Sequence, residues 1–329
     1  MCSSSTAWNS RHQTSVVDRT DHFDGRRFFN PTGPALQPLT AVPRMLVSMR
    51  RTPWPARVEQ PAIEVPTAGP GQIVVTFIGH ATFLIQTPAG NVLTDPVYAE
   101  RAGPGGRLGP RRVRRPAIDF DALPPIAMVL LSHNHYDHCD IRTLRSLARR
   151  FDPIVVTPLG NGRLVRKAGV RRVEELDWWG QTVATPVHVT VTPAHHFCAR
   201  TPFDRNRALW GGFMVNAADR QIYFAGDTAY APLFRDIRRR LGPPDLSLLP
   251  IGAYEPRWFM RSVHMNPAEA VQAHVELESR ASIGMHFGTF PLTAEGIDEP
   301  VRALHRAREL EGIAESRFCV LEGGGSYTA

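Results

Sequence analysis

The sequence predicts an α/β fold with mixed sheets, on three observations. Apolar runs at 126–130 and 154–159 have the length and composition of buried strands. The segments 209–215 and 221–225 flank a polar turn and are predicted to form a hairpin. A stretch with one apolar face follows Asp140, a residue type that caps helices. Because strands alternate with helices and also form hairpins, parallel and antiparallel pairs are expected in the same sheets.

The composition indicates a globular protein with an anionic partner. The 329 residues suffice for one large domain or two small ones. With 43% hydrophobic and 21% charged residues, the chain can form an ordinary core. Its formal net charge of +7 favours a phosphate substrate, an anionic membrane surface or a nucleic acid, without choosing among them.

The lack of a recognisable secretion signal and the spacing of the cysteines predict a cytoplasmic protein. The N-terminus lacks an apolar signal core, and no run approaches the roughly 18 apolar residues of a spanning helix. The cysteines form no C-x-x-C pair, so a reducing compartment is expected. They are Cys2, Cys139, Cys198 and Cys319.

The first 64 residues are predicted to be an extension of a catalytic domain at 65–329. Residues 1–22 are polar and aperiodic and are expected to be disordered. The aromatic segment 22–31 is expected to pack on the domain. In 45–55, apolar residues precede arginines and a tryptophan. This pattern indicates either an interfacial membrane contact or a short docked helix; the helix is favoured because one or two turns bind membranes weakly.

A strand at 73–78 and a hairpin joining 83–86 to 92–96 are predicted to open the domain. His80, between them, is expected to be a hydrogen-bonded structural histidine, and His274 is expected on the surface of a later helix. An arginine-rich loop then leads to the next strand. A solvated face and a phosphate-attracting rim are equally supported for this loop. Its arginines are Arg101, Arg107, Arg111, Arg112, Arg114 and Arg115.

Four metal-ligand residue types directly follow the strand at 126–130: His133, His135, Asp137 and His138. Three imidazoles and a carboxylate exceed what one catalytic zinc takes from one loop. The spacing therefore predicts two metals, with His133 and His135 on one and Asp137 and His138 on the other. Solvated loop histidines are the alternative, and this spacing disfavours it.

Later segments add further candidates. The strand at 187–192 precedes His195 and His196, and the residues alone do not show which of them would bind a metal. The hairpin at 209–225 ends before Asp227, whose two oxygens can bridge metals about 3.5–4 Å apart. His264, on a later loop, is predicted to contact substrate or act as an acid, and a hydrogen-bonded loop histidine is nearly as well supported.

Together these segments resemble the metallo-β-lactamase superfamily, whose signature is H-x-H-x-D-H. The strings at 132–138 and 253–260 resemble the N-acyl-phosphatidylethanolamine-hydrolysing phospholipase D branch and its bacterial relatives. The resemblance runs from about residue 23 to the C-terminus. It implies an αββα sandwich with two mixed sheets, outer helices, two pseudo-equivalent halves and a metal site at one edge.

The resemblance also implies the ligand set. Each metal would take three protein ligands, and Asp227 would bridge the two. Asp95 would orient the ligands from behind. Both metals are expected to be zinc, although imidazole and carboxylate also suit iron or manganese. The implied ligands are His133, His135 and His196 on the first metal and Asp137, His138 and His286 on the second.

The function implied is a zinc-dependent phosphodiesterase of the phospholipase D type, which cleaves N-acyl-phosphatidylethanolamine-type phospholipids by a metal-bridging hydroxide. The alternative is a soluble hydrolase of the same fold, such as a sugar-phosphate lactonase. A nucleic-acid partner is disfavoured because no added nucleic-acid domain is recognised, and a homodimer is left open. The predicted catalytic residues are Asp137, Asp227 and His264, and the predicted substrate-binding residues are Tyr254, Arg257, Trp258, Arg112 and Arg115.

Overall fold

The computed structural model describes residues 19–329 apart from residues 184 and 186. The disorder predicted for residues 1–18 lies outside the described residues. His22 is the first residue of the aromatic segment predicted to pack on the domain, and its side chain is buried. Its two ring nitrogens lie 2.6 Å from Asp21 Oδ1 and 2.7 Å from Asp177 Oδ1, and these contacts hold the segment on the domain.

Thirteen strands and seven helices are found among the described residues. The strands are β1 (Val74–Gly79), β2 (Thr82–Thr87), β3 (Gly90–Thr94), β4 (Ile126–Leu130), β5 (Ile154–Pro158), β6 (Arg172–Leu176), β7 (His188–Thr192), β8 (Gly212–Ala217), β9 (Arg220–Phe224), β10 (Leu246–Pro250), β11 (Ala281–Met285), β12 (Phe318–Val320) and β13 (Ser326–Thr328). The helices are α1 (Val42–Ser48), α2 (Ile141–Arg150), α3 (Gly162–Lys167), α4 (Leu233–Leu241), α5 (Arg257–Met260), α6 (Pro267–Glu276) and α7 (Glu299–Leu310).

Both sheets are mixed, and they share one pattern. The first has the order β13-β1-β2-β3-β4-β5-β6, and the second has the order β12-β11-β10-β9-β8-β7. In the first sheet, β1 to β3 are antiparallel neighbours and β3 to β6 are parallel. In the second sheet, β7 to β9 are antiparallel and β9 to β12 are parallel. The prediction of mixed sheets is confirmed, and the repeated pattern divides the fold into two similar halves.

Side chains that alternate along the strands produce the layers. In β4, Met128 and Leu130 join a buried cluster that includes Phe213 of β8, whereas Val129 packs with Leu144 of α2. Successive residues of a strand point to opposite faces, so β4 is covered by the second sheet on one side and by helices on the other. Each such side chain stabilises the fold by about 1.5–3 kcal/mol when fully buried. The result is the predicted αββα sandwich.

Helix caps set where the helices next to the site begin. The Asp140 side chain accepts a hydrogen bond from the Arg142 backbone N–H. It starts α2 immediately after the loop His133–His138, which is called the metal loop below. Asn266 and Glu269 form a reciprocal capping box at the start of α6. The prediction that His274 of α6 is exposed is wrong. Its side chain is buried, and its Nδ1 atom lies 2.8 Å from the Ser282 hydroxyl of β11.

Candidate metal centre

The ligand-type residues converge because the strands that precede them run in one direction. In the first sheet β1 and β3 are both antiparallel to β2, and β4 is parallel to β3. The same relations hold for β7, β9 and β11 in the second sheet. The carboxyl ends of these strands therefore meet at one edge of the sandwich. The residues that follow them are His80, Asp95, the loop His133–His138, His196, Asp227 and His286.

The first cluster contains His133, His135, His196 and Asp227, whose ligand atoms all lie within 4.8 Å of one another. The Nδ1 atom of His135 lies 2.9 Å from His133 Nε2 and 3.2 Å from His196 Nε2. Burial lowers the pKa of His135 to about 3 and that of His196 to about 4. Both imidazoles are therefore neutral near pH 7, which is the form that binds metals.

The second cluster contains Asp137, His138 and His286, and His80 joins them. Asp137 Oδ2 lies 3.5 Å from His138 Nε2, 3.4 Å from His286 Nε2 and 3.2 Å from His80 Nε2. The sequence predicts only a structural role for His80. Its position directly after β1, at the same strand edge as the other candidates, is the signal that could have included it.

Asp227 lies between the two clusters. Its Oδ2 atom is 3.1 Å from His138 Nε2 and 3.2 Å from His286 Nε2 on one side. On the other side it is 3.8 Å from His196 Nε2 and 3.9 Å from His133 Nε2. Burial alone would raise the pKa of this carboxyl, but the charges of the surrounding histidines hold its pKa well below the ordinary value. Asp227 is therefore an anion that can serve both clusters.

Hydrogen bonds from behind fix which ring nitrogen His133, His138 and His196 present. His138 Nδ1 lies 2.7 Å from Asp95 Oδ2, and His196 Nδ1 lies 2.8 Å from the Val263 carbonyl oxygen. The Ser132 hydroxyl donates to Asp95 at 2.5 Å and lies 2.9 Å from His133 Nδ1. These contacts orient the Nε2 atoms toward the clusters. The structure thus places Asp95 where the resemblance implied.

The donor set fits metal ions. Because the Nδ1 atoms of His133 and His196 face hydrogen-bond acceptors, their Nε2 atoms carry lone pairs, and both point at His135 Nδ1. One N–H cannot satisfy two such lone pairs well. In addition, the Oδ1 atom of Asp227 is buried without a hydrogen-bond partner among the described residues. Unpartnered buried lone pairs of this kind are costly, and a cation would satisfy them.

The two remaining candidate histidines, His264 and His195, differ in where they lie relative to the clusters. His264 Nδ1 lies 4.0 Å from Asp227 Oδ2, so the structure brings this residue to the centre. His195 belongs to neither cluster; its backbone N–H bonds the Thr228 hydroxyl at 2.9 Å. Of the two adjacent histidines, His196 is the one whose ring meets the other ligands.

Two of the three arginines predicted to bind substrate, Arg112 and Arg115, lie outside the pocket at the metal residues. The Arg112 guanidinium donates to three backbone carbonyl oxygens, of Ala99 at 2.9 Å, Val97 at 2.7 Å and Arg114 at 3.3 Å. Arg115 is paired with Asp119. Neither lines the pocket at the metal residues, and their assignment to substrate stays a prediction. Arg112 turns inward because the loop backbone offers acceptors that water cannot reach.

The segment at 254–258 supports the site without lining its pocket. Tyr254 is buried, and Arg257 Nη1 donates to the His264 carbonyl oxygen at 2.7 Å. The Trp258 ring lies 4.8 Å from the Arg44 guanidinium of α1. Arg257 and Trp258 contact the His264 loop and α1, and direct contact of this segment with substrate stays a prediction.

A pocket of about 460 Å³ opens over the two clusters. His135, Asp137, Asp227 and His264 line part of it, and most of the remaining wall is apolar. Arg205 is the cationic residue of the wall; its guanidinium lies 4.6 Å from the Phe197 ring. The apolar wall residues include Leu36, Val42, Met45, Met49, Phe197, Phe259, Met260, Val263 and Leu292.

Two clusters of histidine and carboxylate, joined by one aspartate at the edge of an αββα sandwich, fit the dinuclear metal site of a metal-dependent hydrolase. The model of the β-lactamase superfamily domain matches residues 90–287. The chain belongs to the metallo-β-lactamase superfamily.

Individual relatives agree with this assignment. The chain is 38% identical over 266 residues to an uncharacterized protein of Mycobacterium tuberculosis, a match covering 77% of this chain and 71% of the relative. It is 36% identical over 272 residues to N-acyl-phosphatidylethanolamine-hydrolyzing phospholipase D 1 of Caenorhabditis elegans. This match covers 78% of this chain and 76% of the relative. A metallo hydrolase of Ignicoccus hospitalis shares the fold, with a TM-score of 0.58, 20% identity and coverage of 78% and 98%.

Proposed function

We propose that this metal-dependent hydrolase is a zinc phosphodiesterase that acts on N-acyl-phosphatidylethanolamine-type phospholipids. The observation that carries the proposal is the apolar pocket directly over the clusters, because a polar sugar phosphate would gain little from such a wall. The similarity to a relative named for this substrate supports it. Water would be added across the phosphodiester, giving phosphatidic acid and an N-acylethanolamine.

The residues of the chain divide the work at this centre. His133, His135 and His196 would hold one zinc, and the second cluster would hold the other, with Asp227 shared. Bound zinc lowers the pKa of a water molecule and polarises the phosphate under attack. Imidazole and carboxylate ligands also suit iron or manganese, so the choice of zinc is part of the proposal.

Two side chains of the pocket would contact the substrate phosphate. Burial lowers the pKa of His264 well below its ordinary value, so the imidazole is neutral and can donate a hydrogen bond to a phosphate oxygen or the leaving oxygen. Arg205 would supply a positively charged guanidinium that pairs with the phosphate. Fatty chains would lie along Met45 of α1, Met49 just after this helix, and the apolar residues around α5.

Exposed apolar side chains next to this pocket support contact with a lipid surface. On α1, Met45 lines the pocket, whereas Leu46 and Val47 are 58% and 89% exposed. Phe203 follows two pocket residues and is 81% exposed. Such side chains would enter the boundary between headgroups and acyl chains.

We place the protein at the cytoplasmic surface of a membrane, in keeping with the free thiols of Cys139, Cys198 and Cys319. No described helix is long and apolar enough to cross a membrane.

The test compares three substrates with the zinc-loaded protein: N-acyl-phosphatidylethanolamine in mixed micelles, a small soluble phosphodiester, and a sugar-phosphate lactone. We expect the highest kcat/KM on the phospholipid, because its chains gain the contacts of the apolar pocket. The products should be phosphatidic acid and N-acylethanolamine by mass spectrometry. Turnover of the lactone with none of the phospholipid would replace this proposal by the soluble-hydrolase alternative.

A further inference from the structure

A second pocket, of about 320 Å³, is built against the metal loop but does not contain the metal residues. Its wall combines the glycine-rich loop around Arg101, the start of α2 with Arg142 and Arg145, and the residues Tyr136 and Arg200. Four arginines from three separate segments therefore meet at one cavity. We call this cavity the arginine pocket.

The charge of the arginine pocket is not balanced by the protein. Asp140 is the acidic residue of its wall. Its carboxylate accepts hydrogen bonds from the backbone N–H of Arg142 at 3.0 Å and Ala99 at 2.9 Å, and from the Thr143 hydroxyl at 2.6 Å. Other arginines of the same region, Arg111 among them, form ion pairs, but no ion pair among the described residues includes any of the four arginines of this pocket.

Two of the four guanidinium groups are held by the protein backbone. Arg200 Nη1 donates to the carbonyl oxygens of Asn134 at 2.7 Å and Cys139 at 2.9 Å, and its guanidinium stacks 3.9 Å from the Tyr136 ring. Arg101 Nη1 donates to the Gly109 carbonyl oxygen at 2.8 Å. A guanidinium has five N–H donors, so each keeps donors free for a ligand.

The other two guanidinium groups are free to close on a ligand. Arg142 and Arg145 are exposed and lie one turn apart on α2, on the same face. Two guanidinium groups held by the backbone and two exposed ones around one cavity match an anion with several equivalent oxygen atoms, because each fork can contact two of them. A carboxylate offers only two oxygens, whereas a terminal phosphate offers three.

We infer that the arginine pocket binds a terminal phosphate group, in a site separate from the hydrolytic centre. The phosphate would come either from the headgroup of an anionic lipid such as phosphatidic acid, or from a soluble phosphorylated molecule. Because Arg200 bonds the backbone on both sides of His135 and Asp137, an occupied pocket would also stiffen the loop that carries the ligands.

The test follows the arginines themselves and does not depend on turnover, so it is independent of the proposed substrate. The zinc-loaded protein is labelled with phenylglyoxal, which modifies arginine, with and without inorganic phosphate, and the labelled sites are mapped by mass spectrometry. Phosphate should slow labelling of Arg142 and Arg145 by the factor 1 + [L]/Kd, about threefold at twice Kd. Labelling of the exposed Arg149 and Arg163, which lie outside the pocket, should not change.

A second measurement distinguishes the two sources of phosphate. Sedimentation with phosphatidylcholine vesicles, with or without phosphatidic acid, is compared for the wild type, Arg142→Gln with Arg145→Gln, and the matched control Arg149→Gln with Arg163→Gln. Loss of the phosphatidic acid dependence in the first variant alone assigns the pocket to lipid headgroups. Phosphate protection with equal vesicle binding of all three assigns it to a soluble ligand. Equal labelling with and without phosphate, together with equal vesicle binding, overturns the inference.

Discussion

Asp227 is the residue that lies close to the histidines of both clusters. One of its oxygens lies within 4 Å of histidines from both clusters, and the other is buried without a partner among the described residues. Removing its charge therefore affects every ligand around it. His264, in contrast, touches the centre only at 4.0 Å and lines the pocket.

Asp227→Asn should consequently reduce activity more than His264→Ala. We expect His264→Ala to lower kcat by about 10²–10⁴-fold, the usual contribution of a positioned acid or base, and to keep its metals. Asp227→Asn should lose more activity and also metal. Measuring kcat together with metal content decides this. Equal losses of kcat with full metal content in both variants would contradict the shared role of Asp227.

Among the elements, α1 has two roles on two faces. Val42 and Met45 point into the pocket, while Leu46 and Val47 face outward. The helix has seven residues and no side-chain cap, so its position depends on contacts such as that between Arg44 and Trp258. A short helix with an apolar outer face next to the pocket is suited to guide a lipid from a surface.

Leu46→Glu with Val47→Glu should raise the apparent KM on lipid vesicles by about tenfold or more, since each buried side chain contributes about 1.5–3 kcal/mol. The kcat on a small soluble phosphodiester should not change, because neither residue lines the pocket. Val275→Glu with Leu310→Glu is the matched control: it adds the same charge at exposed apolar positions of α6 and α7. If the control raises KM equally, charge rather than position explains the effect.

The N-terminal segment is fastened by His22. Burial lowers its pKa, but hydrogen bonds and charges of Asp177 and Asp21 outweigh burial, so the pKa of folded His22 is raised. The unfolded value is about 6.5. The stabilisation is therefore complete below about pH 6.5 and is lost as pH rises through the raised folded pKa.

Asp177→Asn should remove most of this pH dependence. We expect a loss of at most about 1.5 kcal/mol in the free energy of unfolding at acidic pH, because Asp177 is partly exposed, and a smaller loss at alkaline pH. Chemical denaturation across the pH range measures it. A constant difference between wild type and variant at all pH values would show that His22 does not titrate in this way.

At the scale of the whole molecule, the two sheets are joined at the metal centre. The candidate ligands come from loops of the first sheet after β4 and of the second sheet after β7, β9 and β11. Metals that bind residues of both sheets stabilise the folded state by RT ln(1 + [M]/Kd), about 4 kcal/mol at a thousand times Kd.

We therefore expect two metals per chain after zinc reconstitution, and a lower melting temperature after chelation. Elemental analysis and calorimetry measure these quantities, and returning zinc should restore the melting temperature. A content of one metal or none, with an unchanged melting temperature, would refute a dinuclear centre that joins the sheets.

The sequence by itself determined the fold class and the chemistry of the centre. Strand and helix periodicity are local, and His133, His135, Asp137 and His138 share one loop, so their spacing could be interpreted without the fold. The helix at Asp140 was likewise predictable, because a cap acts within one turn.

Only the tertiary structure decided which distant residues meet. The residues alone left His195 and His196 equivalent, and the turn after β7 separates them. Arg112 belongs to a charged run that could have been solvated, yet the loop backbone draws its guanidinium inward. Arg101 and Arg200 line one pocket, although they lie far before and far after the loop His133–His138 in the sequence. Burial and contact between residues far apart in sequence depend on how the layers pack, and no local pattern records them.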